Sequence, residues 1–163
     1  EESEYQRKIA AKLCEMGIDA LIGGHPHCEQ PMDLLTSADG SHSMYCIYSE
    51  GNALSNQRAE LVWNNMPTGH TEDGVIVNLS LHQNGEGEVS LTNVEMIPTW
   101  VYRYMDEMGL YKYYILPLDD VSHLEEKTGL NGIAENAGKS RSRTVEELQE
   151  GLEKVNGLLK MES

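Results

Sequence analysis

Apolar residues recur at spacings of four and three near the start of the chain, at Tyr5, Ile9, Leu13 and Met16, with the helix formers Ala10, Ala11 and Lys12 between them. This spacing predicts an amphipathic helix over 5–16, stopped by Gly17. The next run, IDALIGG, is short and apolar and ends in two glycines. It predicts a buried strand opening into a loop where backbone can approach a ligand closely. The period then changes to two. Residues 32–36 and 43–49 predict a hairpin around Ala38, Asp39 and Gly40. In GVIVNLSLHQ, Val75, Val77, Leu79 and Leu81 alternate with Asn78, Ser80 and His82, and the chain turns through NGEGE into VSLTNVEMIP. A second hairpin with one buried face is expected there. TWVYRYM and LYKYYILPL add one or two strands. Between the hairpins, GNALSNQRAE is polar and NNMPTGHTED reads as an exposed loop.

Beyond Asp119 the pattern becomes helical. SHLEEKTG predicts a short helix with Ser122 as its cap, Glu125 three residues on, and Gly129 at its end. TVEELQEGLEKVNGLLK has Thr144 and Glu147 as a capping box and an apolar face of Val145, Leu148, Leu152, Val155 and Leu159. Gly151 and Gly157 each weaken that helix by about 1 kcal/mol relative to Ala. Residues 138–143, GKSRSR, read as a short basic linker ahead of it. The division expected is an α/β part over 1–119, with mixed sheet and hairpins, and a helical extension over 120–163.

Composition narrows the function classes. The 163 residues are 39% hydrophobic and 24% charged, a globular mixture rather than a disordered one. A net charge of -15 repels polyanions, which disfavours nucleic-acid binding. The apolar runs are too short for a membrane-spanning helix. The chain opens in EESEYQ without a Met, so any signal peptide or membrane anchor is expected upstream. Cys14, Cys28 and Cys46 are too few for a disulfide framework, which leaves both a Cys28–Cys46 pair and free thiols open.

The candidate chemistry lies in DALIGGHPHCEQP. In extended backbone residues two apart share a face, so His25 and His27 can point at one site while Pro26 stiffens the spacing between them. Neutral imidazoles suit Zn, Fe, Mn or Ni, but two ligands do not complete a site. Spacing alone leaves open a metal half-site and a histidine-rich loop. The position after an apolar strand and a double glycine favours the first, because α/β sites lie beyond strand ends. Asn52 and Gln57 offer amides to an anionic oxygen, and Asn52 equally suits stabilising its own turn. Glu29 and Asp33, near the histidines, read as solvated carboxylates, with extra metal ligands as the alternative. Glu50 reads as a surface residue, with metal contact or an ion pair to Arg58 as alternatives. His42, His70, His82 and His123 read as surface histidines, and Met32, Met44, Met96, Met105 and Met108 as core filler. Trp63 and Trp100 read as packing anchors, with contact to a sugar or polymer as a second role for Trp63.

GIDALIGGHPHCEQPMDLL resembles the Gly-His-Pro-His segment of the bacterial capsule-biosynthesis family, the CapA-type poly-γ-glutamate synthesis proteins of the calcineurin-like metallophosphoesterase superfamily. YCIYSEGNALSNQ resembles that family's Tyr-Ser-Leu-Gly-Asn-Phe-x-x-x-Gln block at Tyr48, Ser49, Gly51, Asn52 and Gln57, departing from it at Glu50 and Ala53. SEYQRKIAAKLCEMGID resembles the helix that precedes the histidine strand. The resemblance covers about residues 4–118 and is to the family's C-terminal portion. It implies a four-layer α/β sandwich in which His25 and His27 ligate a divalent metal (Mn, Fe, Zn or Mg). His25 would also be catalytic, and Gly24, Asn52 and Gln57 would bind substrate. It implies hydrolysis by a metal-activated water, an anionic small-molecule or polymer substrate, and further ligands from an N-terminal half outside this chain. The chain alone is then expected to hold metal weakly and not to hydrolyse. Location is expected at the cell surface or outside the cell, through an anchor upstream. The alternative is a non-catalytic capsule-assembly or binding module of the same fold. Unpaired sheet edges predict self-association into a homo-oligomer.

Overall fold

Ser3 and Gln6 form a reciprocal cap that starts the first helix: Ser3 Oγ accepts from the Gln6 N–H at 3.2 Å, and Gln6 Oε1 accepts from the Ser3 N–H at 2.8 Å. This helix, α1 (Glu4–Glu15), opens a computed structural model that describes residues 1–60 and 68–162. Its buried face differs from the expected one. Ala10 and Cys14 face inward, while Tyr5, Ile9 and Met16 are exposed. The sheet surface beneath is built of Met44, Cys46 and Tyr48, whose bulk leaves room only for small helix residues.

The first sheet contains β1 (Ala20–Ile22), β2 (Glu29–Thr36) and β3 (Ser43–Glu50) in the order β1-β3-β2. β3 runs parallel to β1, pairing Leu21 with Cys46, and antiparallel to β2, pairing Met32 with Ile47. Covered on both faces, β3 reads as a continuous apolar run. The second sheet is an antiparallel meander of β4 (Asp73–Gln83), β5 (Val89–Met105) and β6 (Tyr111–Pro117). An antiparallel bridge, Gly51 to Gly74, ties the two sheets together. Gly51 has φ +75°, and a Cβ there would lie 2.6 Å from the Asp73 carbonyl, so only glycine permits the approach.

The C-terminal helices are α2 (Leu124–Thr128) and α3 (Ala134–Glu162). α3 begins ten residues before Thr144, the start that the capping-box pattern predicts. The true cap is remote in sequence: Glu125 Oε1 accepts from the Ile133 and Ala134 N–H groups at 2.8 and 3.0 Å. Ser122 caps no helix and instead bonds Asp120. Residues 138–143 are therefore helical rather than a linker. Leu148, Val155 and Leu159 of α3 share one core with Met32, Leu34, Tyr45 and Ile47 of the first sheet and Val75 and Val94 of the second. Asn156 completes the contact by exchanging two hydrogen bonds with the Val94 backbone. A second cluster joins Trp100, Leu116, Leu118, Leu124, Ile133 and Ala137.

The architecture is mixed α/β with two small sheets and a long C-terminal helix. Met32, Met44 and Trp100 are buried as expected, whereas Met105 and Met108 are exposed. All three cysteines are free thiols. The readings made for Trp63 and for 64–67 of NNMPTGHTED lie outside the described residues. The rest of that segment is not an exposed loop: Thr71, Glu72 and Asp73 are buried.

Candidate functional site

The histidine loop leaves β1 through two glycines with different duties. The Gly23 N–H donates to the Ile47 carbonyl and the Gly23 carbonyl accepts from the Glu50 N–H, continuing the ladder. A Cβ on Gly23 would collide with the Tyr48 carbonyl, so its role is packing against β3, while Gly24 faces open space. His25 and His27 are not extended. Their φ values are 96° and 63°, in the left-handed region, which costs L-residues about 1–2 kcal/mol each. The alternation expected for a strand therefore does not apply. The two exposed rings are tilted by 43°, with centroids 6.4 Å apart.

Asn52 holds this loop in place. It is buried, and its Nδ2 donates to the His27 carbonyl at 3.1 Å and to the Thr71 carbonyl at 2.9 Å. Its backbone N–H donates to the Asp73 carbonyl. With both amide hydrogens spent, Oδ1 is left to accept from His27 Nδ1–H at 2.9 Å. That fixes the tautomer. Nε2 of His27 carries the lone pair, the arrangement that an oxygen bonded to Nδ1–H imposes on a metal-binding imidazole. Gln57 is exposed and makes no side-chain hydrogen bond to the loop; its N–H donates to Ser55 Oγ.

Behind Asn52 lie two buried carboxylates. Glu29, expected at the surface, is only 3% exposed. Its Oε1 accepts from Thr144 Oγ1 at 2.6 Å, and its Oε2 has no hydrogen-bond partner. Burial pushes its pKa up to about 7, opposed by the Thr144 hydroxyl and assisted by the nearby charge of Asp73. Asp73 is fully buried. It takes a forked pair of bonds from Arg143, Nε to Oδ2 at 2.6 Å and Nη2 to Oδ1 at 2.7 Å, with Ser140 Oγ donating to Oδ1 at 2.6 Å. Gly69, at φ +85°, leaves the room that this guanidinium needs: a Cβ there would lie 2.9 Å from Arg143 Cζ. His70 follows in a short 3-10 turn, His70–Glu72. Donor atoms of Glu29, His70 and Asp73 all lie within 4.8 Å of one another.

The neighbouring Glu72 serves structure. It receives Arg58 Nη2 at 2.6 Å, Trp100 Nε1 at 3.1 Å and the Ala59 N–H. Arg58 is thus taken by Glu72 and by the Val101 carbonyl, not by Glu50. Sequence reasoning missed Glu29, His70, Asp73, Ser140, Arg143 and Thr144 as one group. Their partners lie up to 115 positions apart, and no local spacing records that distance. The one available signal was the pair of polar residues, Ser140 and Thr144, four apart in what proves to be a helix.

Two family blocks thus converge at one strand end: the histidine loop and the Gly-Asn turn, joined by Asn52. Residues 1–57, which contain both, match the family model described as bacterial capsule synthesis protein PGA_cap. The first third of the chain carries the sequence pattern of CapA-type capsule synthesis proteins. Among individual relatives, 94 residues, 58% of this chain, are 26% identical to the PGA biosynthesis protein CapA of Bacillus subtilis strain 168 and make up 21% of that protein. The chain therefore matches about a fifth of that relative's length. No solved structure matches the chain. Among the described residues no helix is long and apolar enough to cross a membrane.

Proposed function

We propose that this chain is part of a protein of capsule biosynthesis, of the poly-γ-glutamate kind, acting at the cell envelope. The observation that carries the reading is the His27–Asn52 pair: the two sequence blocks shared with the family meet in a hydrogen bond that sets one imidazole for coordination. In this reading the two sheets form part of a metallophosphoesterase-like four-layer sandwich, completed by the rest of a longer protein. The outer edge of β1 offers the place where further strands add.

His27 coordinates a divalent ion through Nε2, with Nδ1–H held by Asn52. His25, exposed beside it, contributes a second ligand or a contact to an anionic oxygen of substrate. When bound, the ion supplies an activated water and charge neutralisation. The substrate class is an anionic small molecule or polymer. A second reading, a non-catalytic assembly module, is favoured by one observation: both imidazoles are exposed, and among the described residues neither belongs to a group of three donors that could hold an ion.

The test uses the full-length gene product and its His25→Ala, His27→Ala variant, with metal content, phosphodiester hydrolysis and surface polymer of the producing cell measured together. Loss of all three in the variant supports the metal-dependent reading. Loss of polymer alone, with no metal or hydrolysis in either protein, supports the assembly module. Unchanged polymer in the variant overturns the role given to the loop.

A further inference from the structure

We infer that Glu29, His70 and Asp73 form a binding site for one divalent transition ion of the zinc or manganese type, seated behind the histidine loop and independent of His25 and His27. The three donors come from separate segments, the start of β2, the 3-10 turn and the start of β4, and converge within 4.8 Å. Opposed ligands on a zinc-sized ion sit about 4 Å apart, so a small closure of side chains seats the ion.

The second observation is the state of the donors. Glu29 is 3% exposed, yet its Oε2 has no protein partner. A buried carboxylate oxygen without a donor is costly unless a proton or a cation satisfies it. The other oxygen is oriented by Thr144, and Asp73 is oriented by Ser140 and Arg143, as ligands are by their surrounding shell. Asp73 Oδ2 accepts one bond from Arg143 and keeps a second lone pair. The His70 imidazole is partly buried and makes no hydrogen bond to any of the described residues. Two carboxylates against one guanidinium leave a net negative charge for the ion to meet. Mixed imidazole and carboxylate donors suit zinc, manganese or iron, and three protein ligands leave a position open to water or an anionic oxygen.

The test is titration of the chelator-stripped 163-residue chain with Zn²⁺ and Mn²⁺ against a competing chelator, together with Co²⁺ absorption spectra. One ion per chain is expected. Glu29→Gln and His70→Ala should each weaken it about tenfold or more and alter the Co²⁺ spectrum, while circular dichroism stays native. The His25→Ala, His27→Ala variant should bind as the wild type does. No stoichiometric ion in the wild type, or wild-type affinity in His70→Ala, overturns the inference. Binding that vanishes only with His25 and His27 also overturns it, while supporting the metal-dependent reading of the loop.

Discussion

Thr144 Oγ1 donates to Glu29 Oε1 at 2.6 Å, linking the middle of the C-terminal helix to the first residue of β2 across 115 positions. Both residues are nearly or fully buried, so the bond forms where water does not compete. Thr144→Val keeps the volume and removes the donor. The Glu29 pKa should rise above its value of about 7, because the hydroxyl is what opposes its burial. Stability at pH 8 should fall by about 1.5–3 kcal/mol, the range for a hydrogen bond to a charged group. Carboxyl NMR titration and urea denaturation check the two effects, and Thr144→Ser should restore both.

Glu29 also sets a pH dependence. Its folded pKa of about 7 lies above the ordinary 4.5, so between those values the folded chain binds more protons than the unfolded one. Stability contributed by this group is full below pH 4.5 and is lost as pH rises through 7, amounting to about 3 kcal/mol. Denaturation midpoints measured with chelator present should show a decline across this window that Glu29→Gln lacks. An identical decline in the variant would exclude Glu29 as its source.

Two of the glycines of α3, Gly151 and Gly157, should respond oppositely to alanine. A Cβ at Gly151 would run into the Met32 carbonyl, whereas at Gly157 nothing lies within 4 Å. Gly157→Ala should therefore gain up to about 1 kcal/mol from helix propensity. Gly151→Ala should lose about 1–3 kcal/mol, because α3 must lift from β2. Thermal melts of the two variants decide this.

At His25 the usual ranking of glycine and alanine should invert. With φ at 96°, alanine retains the left-handed strain and glycine relieves it. His25→Gly should be more stable than His25→Ala by about 1 kcal/mol. Equal stability would mean that the loop relaxes to another conformation once the imidazole is gone.

What the sequence disclosed was local. The alternation in 75–81 and the apolar run of 43–49 announce their strands because side-chain period and burial coincide there. The histidine loop and Asn52 were visible as residues, and their contact was not. Glu29 reads as one more carboxylate in an acidic chain until Thr144 and Gly51 are seen packed against it. Thr144 with Glu147 satisfies the pattern of a helix start, yet Glu125 caps the helix ten residues earlier, through a turn that no helical period describes. On α1 the apolar stripe was real, but the sheet selected Ala10 and Cys14, because contact distance there is set by the size of Met44 and Tyr48.

The place of α3 has a consequence for the order in which the molecule is made. The histidine loop and Asn52 precede Ser140, Arg143 and Thr144 along the chain and so are synthesised before them. Until they appear, Asp73 lacks its guanidinium and Glu29 its hydroxyl, and both carboxylates stay hydrated instead of entering the core. A ribosome-bound chain that stops before residue 140 therefore displays the loop without the buried ground it stands on, and the site closes only once α3 has been made.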